Sequence, residues 1–449
     1  MVVVEGFAGR KVGVLGLARS GRAAAAALRA GGAEVLAWDD SEKARAAAEL
    51  PLTDPERWRD IAALVLSPGI PTTFPKPHPA VIRAHDANTE IVGDIELLYR
   101  ARKGARFIGI TGTNGKSTTT ALIGHILKEA GLPTEVGGNL GTAALSLAPS
   151  DNYVLEASSY QLELLNTAVF DIAVLLNVTP DHLDRHGGMD GYIAAKGHIF
   201  DRQGAECSAV IGVDDAICAA MCERLRGGNR RVVPVSVNRA VAGGVYVEAG
   251  WLVDAIAGSP RRVFDLATAE RLPGAHNWQN AAAAYAAARR AGLSEAVATA
   301  AIRSFPGLAH RQELVDTVAG VRYINDSKAT NADASEKALI CYPAIYWIAG
   351  GLAKAGGIAP LAPYFGRLRH AFLIGNATEE FAATLDGKVP FTRCGDLTTA
   401  VAAAAEQARG ERVPGAVVLL SPACASFDQF TDFEARGDRF RELVAALPR

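Results

Sequence analysis

The chain has 449 residues, more than one ordinary hydrophobic core serves, so two or three domains of roughly 100–200 residues each are expected. Hydrophobic residues at 49% and charged residues at 21% exclude a disordered chain. A formal net charge of −2 excludes a polybasic footprint for nucleic acid or an anionic membrane, leaving any anion to a local site.

The N-terminal segment Met1–Arg10 has an early acidic residue and no basic region before a long apolar stretch, so it does not read as a signal peptide. Nowhere does an uncharged apolar run reach about 18 residues, and a cytoplasmic protein without a membrane partner is expected. Lys11–Gly16 reads as a buried strand entering a glycine turn, with an alanine-rich helix opening at Ser20-Gly21 and running to Arg29. Glu34–Asp40 follows as a second strand ending in carboxylates, which is the spacing of a Rossmann-like βαβ unit. The turn does not satisfy GxGxxG, so a nicotinamide dinucleotide is not licensed, although another nucleotide phosphate fits the helix N-terminus. A third strand, Ala62–Leu66, ends in Ser67-Pro68-Gly69-Ile70-Pro71, where substrate contact and simple turn chemistry are equally compatible readings.

A second α/β unit starts at Arg106–Thr111 and continues through Tyr153–Glu156 and Ile172–Asn177. A third carries strands at Val321–Asn325, Ala344–Ile348, Ala371–Ile374 and Ala416–Leu420. The expected fold is α/β with three domains over residues 1–100, 101–305 and 306–449.

The strongest chemical signal lies after the second unit's first strand: Gly112-Thr113-Asn114-Gly115-Lys116-Ser117-Thr118, leading into the apolar helix Ala121–Ala130. Glycines let backbone N–H groups approach phosphate oxygens, Lys116 neutralises β/γ charge, and the Ser117 hydroxyl reaches a magnesium ion. The full GxxxxGK[ST] pattern needs glycine at position 110, where the chain has Ile110, so this is a shortened P-loop that binds ATP or a similar triphosphate. Glu156, at the carboxyl end of a neighbouring strand, is a candidate for Mg²⁺.

Asn177–His186 concentrates Asp181, His182, Asp184, Arg185 and His186 just after a buried strand, a density that suggests ligand or metal work. Around His276, Asn277, Gln279 and Asn280, helix capping and contact with a nucleotide base or ribose fit equally well. In the third domain Arg311 could fork onto a carboxylate or phosphate, and Lys328 could neutralise a transferring phosphoryl group. None of the six cysteines forms a CxxC pair; free thiols in a reducing compartment are expected. No histidine follows Cys424, which reads as a packed thiol. On the residues alone, Lys196 reads as an ordinary helix-surface lysine.

Taken in order, Thr111–Thr118, Glu156-Ala-Ser-Ser159, Asp181-His-Leu-Asp-Arg185, His276-Asn277, His310-Arg311, Asp326-Ser-Lys328-Ala-Thr330 and Ser421–Phe433 resemble the Mur ligase family across essentially the whole chain. The resemblance implies an N-terminal Rossmann-like UDP-binding domain, a central P-loop-type ATPase domain and a C-terminal Rossmann-like domain. It further implies a monomer that joins D-glutamate to UDP-N-acetylmuramoyl-L-alanine with ATP. Arg19, Ser20, Asp39, Asp40 and Gly69 would hold the uridine nucleotide, and Asn139, Ser158 and His182 its alanyl end. Asn277, Asn280, Arg311 and Asp326 would join the loop around ATP. Thr330, Lys354, Ser426, Phe427 and Phe433 would grip glutamate, although the apolar Leu352-Ala353 before Lys354 departs from some relatives. Ser117, Glu156, His182 and a carbamylated Lys196 would hold a pair of magnesium ions, and Lys116, His182, Lys196 and Lys328 would form the catalytic set. Folylpolyglutamate synthase shares the ATP loop but lacks a first domain of this kind. A nucleotide-dependent switch would share the loop without needing the polar loops of the third domain.

Overall fold

The computed structural model describes residues 1–353 and 356–448 as an α/β protein built on three sheets. The described chain divides into two compact units, Met1–Thr268 with Asn277–Phe305, and Ala269–His276 with Pro306–Arg449.

The first unit holds two sheets. A four-stranded parallel sheet runs in the order Glu34–Trp38, Lys11–Leu15, Ala63–Leu66, Glu90–Val92. Its inner strands are apolar on both faces, as helices on each side require. The helix Arg19–Ala30 buries five of its alanines and leucines as a smooth face. Its close approach needs Gly21, where a Cβ would run into the carbonyl of Gly16. Two glycines therefore provide the tight strand-to-helix turn at a spacing other than GxGxxG.

The second sheet of this unit has nine strands, in the order Arg261–Asp265, Trp251–Asp254, Val245–Glu248, Arg231–Ser236, Ser208–Gly212, Ile172–Leu175, Arg106–Thr111, Asn152–Glu156, Thr134–Gly138. All pairs are parallel except the two at the Arg261–Asp265 edge. Glu156 is paired in register with Ile110 on one side and Gly138 on the other. The carboxylate therefore emerges at the strand ends next to the glycine loop, where parallel sheets bind ligands. One hydrophobic core runs under both sheets, from Val12, Ala24 and Leu98 to Phe107, Leu145 and Tyr153.

The second unit has a six-stranded sheet, Glu313–Val318, Val321–Asn325, Val417–Leu420, Ile345–Gly350, Leu368–Ile374, Phe391–Gly395, parallel but for the antiparallel first pair. Separate apolar clusters cover its two faces, around Trp347 and Phe381 on one and Tyr346 and Phe440 on the other. Among the described residues no helix is long and apolar enough to cross a membrane, and the cysteines are free thiols, Cys424 buried among them.

Candidate active site

The glycine loop is held open from several sides. Gly112 and Gly115 have φ of +149° and +85°, conformations that L side chains resist. A Cβ on Gly115 would also strike the Asn280 side-chain oxygen. Thr113 N–H donates to the carbonyl of Asn177 at 2.9 Å, and Asn114 N–H donates to the side-chain oxygen of Asn177 at 2.8 Å. The Thr113 hydroxyl donates to the carbonyl of Thr179 at 3.0 Å and lies 3.1 Å from the Tyr192 hydroxyl. Asn280 accepts from the Thr119 hydroxyl at 3.2 Å and donates to Asn277 at 3.2 Å. The two asparagines read as nucleotide contacts therefore also brace the helix Lys116–Glu129, which begins at the loop's lysine, ahead of the helix expected from sequence.

Two lysines converge on this loop. Lys116 Nζ donates to the carbonyls of Gly112 at 2.9 Å and Thr113 at 2.8 Å. Lys196 Nζ donates to the same Gly112 carbonyl at 2.9 Å and sits 4.6 Å from the centre of the Tyr192 ring. The expectation of a surface lysine is corrected here: Lys196 is 2% exposed. Burial, then the charge of Lys116, pushes its ammonium down to about 7.

Glu156 is buried, accepts the Asn139 side-chain amide at 2.9 Å on Oε1, and leaves Oε2 without a hydrogen-bond partner. An orphaned buried carboxylate oxygen next to a phosphate loop fits a divalent cation. His182 stands at φ +51°, 3.5 Å from Asp181, at the start of the short helix Leu183–His186. His186, at the other end, is buried with Nδ1 2.9 Å from Glu163 and Nε2 2.9 Å from the Ser159 hydroxyl. Ser158 caps the adjoining helix in a reciprocal box with Gln161. The His182 loop is thereby fastened to the segment that follows Glu156. Among the described residues no three His, Cys, Asp or Glu side chains meet at one point, so donors of other kinds must complete any metal shell.

In the first sheet, Asp39 accepts from Leu17 N–H at 2.6 Å and Ser41 N–H at 2.8 Å, and Asp40 pairs with His78 at 3.0 Å. Gly69 has open space where a side chain would stand. Arg19 donates to the carbonyls of Gly141 and Asn139, tying this end of the first sheet to the loop that carries Asn139.

The second unit gathers its own set. Asp326 accepts from Gln312 N–H at 3.1 Å and the Ser421 hydroxyl at 2.8 Å, and burial pushes its carboxyl up to about 7. Lys328 lies 4.7 Å from the centre of the Phe433 ring. Buried Arg436 donates to Ser327 and to the carbonyl of Cys424, at 2.8 and 3.1 Å through Nη2, so the Asp326–Thr330 and Ser421–Phe427 segments share one buried cation. Ser426 is buried beside them while Phe427 is 70% exposed. Arg311 and Thr330 are both half-buried. Lys354 lies outside the described residues. Sequence reasoning missed Asn177, Tyr192, Glu163 and Arg436, whose roles are to hold other residues in place and whose only signal is proximity in the fold.

A strand, glycine loop and helix bearing lysine and hydroxyls, beside an orphaned carboxylate, define a triphosphate-using α/β enzyme. The Mur ligase middle domain matches residues 110–288. The chain is 57% identical over 455 residues to the UDP-N-acetylmuramoylalanine--D-glutamate ligase of Paramagnetospirillum magneticum, covering 100% of this chain and 99% of that one. It is 56% identical to the protein of the same name from Rhodospirillum rubrum, over 98% of this chain and 95% of that one. It therefore belongs to the Mur ligase family. Solved structures of similar fold include the UDP-N-acetylmuramate-alanine ligase of Thermotoga maritima, at 17% identity and a TM-score of 0.58 over 97% of this chain and 99% of that one. A second is a UDP-N-acetylmuramoyl-L-alanyl-D-glutamate--2,6-diaminopimelate ligase, at 19% identity and 0.59 over 98% and 93%.

Proposed function

We propose that this protein is the ATP-dependent ligase that adds D-glutamate to the alanyl carboxylate of UDP-N-acetylmuramoyl-L-alanine, in cytoplasmic synthesis of the peptidoglycan precursor. The observation that carries the reading is the Gly112–Ser117 cradle with Lys116 at its mouth, in a chain whose full-length relatives bear that name.

The alanyl carboxylate attacks the γ-phosphorus of ATP and ADP leaves, giving an acyl phosphate. The amine of glutamate then attacks the activated carbonyl, and the tetrahedral adduct expels phosphate to form the amide. Backbone N–H groups of the loop face the phosphates, and Lys116 exchanges its loop carbonyls for the β/γ oxygens, where charge accumulates. Asn277 and Asn280 stand toward the nucleotide, Asn139, Ser158 and His182 toward the alanyl end, and Arg19, Ser20, Asp39, Asp40 and Gly69 toward the uridine nucleotide. In the second unit Arg311 and Asp326 are assigned to ATP, Lys328 to the transferring phosphoryl group, and Thr330, Ser426, Phe427 and Phe433 to glutamate. Ser117, Glu156, His182 and a carbamylated Lys196 are the groups that would hold magnesium. A divalent ion there supplies charge neutralisation on the transferring phosphoryl group. The division into domains at residues 1–100, 101–305 and 306–449 and a monomeric state belong to the same proposal.

Phosphate release measured with ATP, Mg²⁺, UDP-N-acetylmuramoyl-L-alanine and D-glutamate tests the reading, with L-glutamate and a folate as alternative arms. Release is expected only with the complete D-glutamate mixture, and Lys116→Ala is expected to cut it at least about 100-fold. Equal turnover with L-glutamate, or turnover with the folate in place of the uridine substrate, would overturn it.

A further inference from the structure

Gln279 lies near the start of the helix Ala275–Arg290, between the two asparagines assigned to the nucleotide. Its side chain is engaged on the far side of the phosphate loop's support. Gln279 Nε2 donates to Asp214 Oδ2 at 3.1 Å, and Gln279 Oε1 accepts from Asn177 Nδ2 at 3.4 Å. Asn177 Oδ1 accepts the Asn114 N–H at 2.8 Å, and Asn177 Nδ2 also donates to the Asn114 carbonyl at 3.2 Å. One side-chain amide therefore closes on both backbone polar groups of a single residue in the phosphate loop.

Each link of this relay has one direction. A carboxylate accepts, so Asp214 takes the amide nitrogen of Gln279 and turns the amide oxygen toward Asn177. That oxygen also accepts, so Asn177 presents its nitrogen to Gln279 and its own oxygen to the Asn114 N–H. Asp214 is itself fixed: Oδ1 accepts the Ser236 hydroxyl at 2.6 Å and Oδ2 the Val237 N–H at 3.0 Å. The turn that carries Asp214 is shaped for this. Gly212 ends the strand Ser208–Gly212, and a Cβ there would run into the carbonyl of Leu176 and stand 3.2 Å from Gln279 Nε2. Asp215 accepts the Val178 N–H at 3.2 Å, so the residues on either side of Asn177 lie against the same turn.

We propose that Gln279 is a positioning residue for ATP: it acts through Asn177, whose amide it turns so that the backbone of Asn114 is held in place before the nucleotide arrives. The proposal rests on the ATP reading above, and it separates Gln279 from its neighbours Asn277 and Asn280, which stand toward the nucleotide. A loop shaped in advance costs less to order on binding. Lys116 keeps its own hold on the carbonyls of Gly112 and Thr113, and the Asn177 backbone carbonyl keeps the Thr113 N–H whatever the side chain at 177. Release of Asn114 therefore weakens nucleotide binding in the ground and transition states alike, raising KM for ATP with little change in kcat.

The test is a double-mutant cycle on the full chain, read by titration calorimetry with ADP and Mg²⁺ and by steady-state kinetics, for the wild type, Asn177→Ala, Gln279→Met and the double variant. Methionine keeps the length of glutamine without its polar end. Asn177→Ala is expected to weaken ADP binding and raise KM for ATP by about tenfold, and Gln279→Met by about fivefold, with kcat and the KM of the other two substrates within about threefold of wild type. Because Gln279 acts through Asn177, the double variant should bind ADP within about twofold of Asn177→Ala alone. A double variant whose loss is the product of the two single losses would mean that Gln279 reaches the nucleotide by itself, and the proposal would fall. It falls equally if Gln279→Met binds ADP like the wild type or if the losses are confined to kcat. Where Asn177→Ala fails to fold, Asn177→Ser, too short to span both Asn114 groups, takes its place in the cycle with the same expectation. Absence of ADP binding by the wild type overturns the ATP reading itself.

Discussion

Lys116 and Lys196 donate to one and the same backbone carbonyl, that of Gly112, each at 2.9 Å. Burial of Lys196 first, and then repulsion between the two ammonium groups that share the acceptor, pushes Lys196 down to about 7. A neutral amine is the form that adds carbon dioxide, and the resulting carbamate would turn repulsion of Lys116 into attraction.

Carbamylation of Lys196 is therefore expected in bicarbonate-containing buffer, seen as a single ¹³C carbamate resonance in protein labelled with ¹³C bicarbonate. Lys196→Ala should lose activity by at least about 100-fold, and short carboxylates such as acetate should restore part of it in a saturable way. Lys196→Arg, which keeps a cation in place, should not respond. A Lys196→Ala enzyme indifferent to carboxylates across a concentration series would count against the anionic role.

His186 is argued from its two partners. Removing its ring takes the partner from the buried Ser159 hydroxyl and leaves Glu163 with Arg185 at 3.4 Å, at a cost of roughly 1–3 kcal/mol. It also frees the short helix that begins next to His182. His186→Ala should lower the denaturation midpoint and also depress kcat, because His182 loses its fixed place, whereas KM for ATP should be unchanged. His186→Gln, which reaches toward one partner, should recover part of both. A variant destabilised by this amount yet with wild-type kcat would show that the short helix holds its position without the histidine.

How much of this was readable beforehand follows from how local each signal is. The cradle Gly112–Ser117 was legible because its parts are adjacent in sequence and each has a physical task. Glu156 was legible because a carboxylate at the end of an apolar strand is conspicuous. Lys196 was misread because its burial comes from Tyr192 on its own helix and from the phosphate loop, 84 residues away in sequence. Asp94 and Glu96 resemble ordinary acidic residues in a helix's first turn, and only the fold brings residues 161–168 against them. The antiparallel strands Val245–Asp265 at the edge of the central sheet also escaped notice, since they are short and lack the helix alternation that marks the parallel part.

Arg436 predicts a stability effect confined to the second unit. Its guanidinium is buried and satisfied mainly by Ser327 and the Cys424 carbonyl, so it joins two loops that carry sequence-predicted site residues. Arg436→Ala should destabilise this unit by about 3–5 kcal/mol, the range for a buried network that loses its central charge. Arg436→Lys cannot reproduce the planar fork and should recover less than half. Denaturant unfolding of the full chain, followed by the fluorescence of buried Trp347 in this unit's core, reads the difference. Identical midpoints for all three proteins would refute the clasp.

Asp326 gives a prediction whose sign depends on pH. Its carboxyl is raised from 3.8 to about 7 by burial. Across that window the folded protein keeps a proton that the unfolded chain has released, so this residue's contribution to stability falls as pH rises and is fully unfavourable above about 7. Asp326→Asn removes the titrating group while keeping an acceptor for Ser421. The variant should be more stable than wild type at about pH 8, by on the order of 2–4 kcal/mol. The advantage should shrink as pH falls and vanish near pH 4. Activity should move the other way, because a neutral amide replaces the carboxylate proposed to face ATP. Unfolding curves for both proteins over this pH range decide the matter: a stability difference that is constant with pH would mean that Asp326 ionises alike in the folded and unfolded chain.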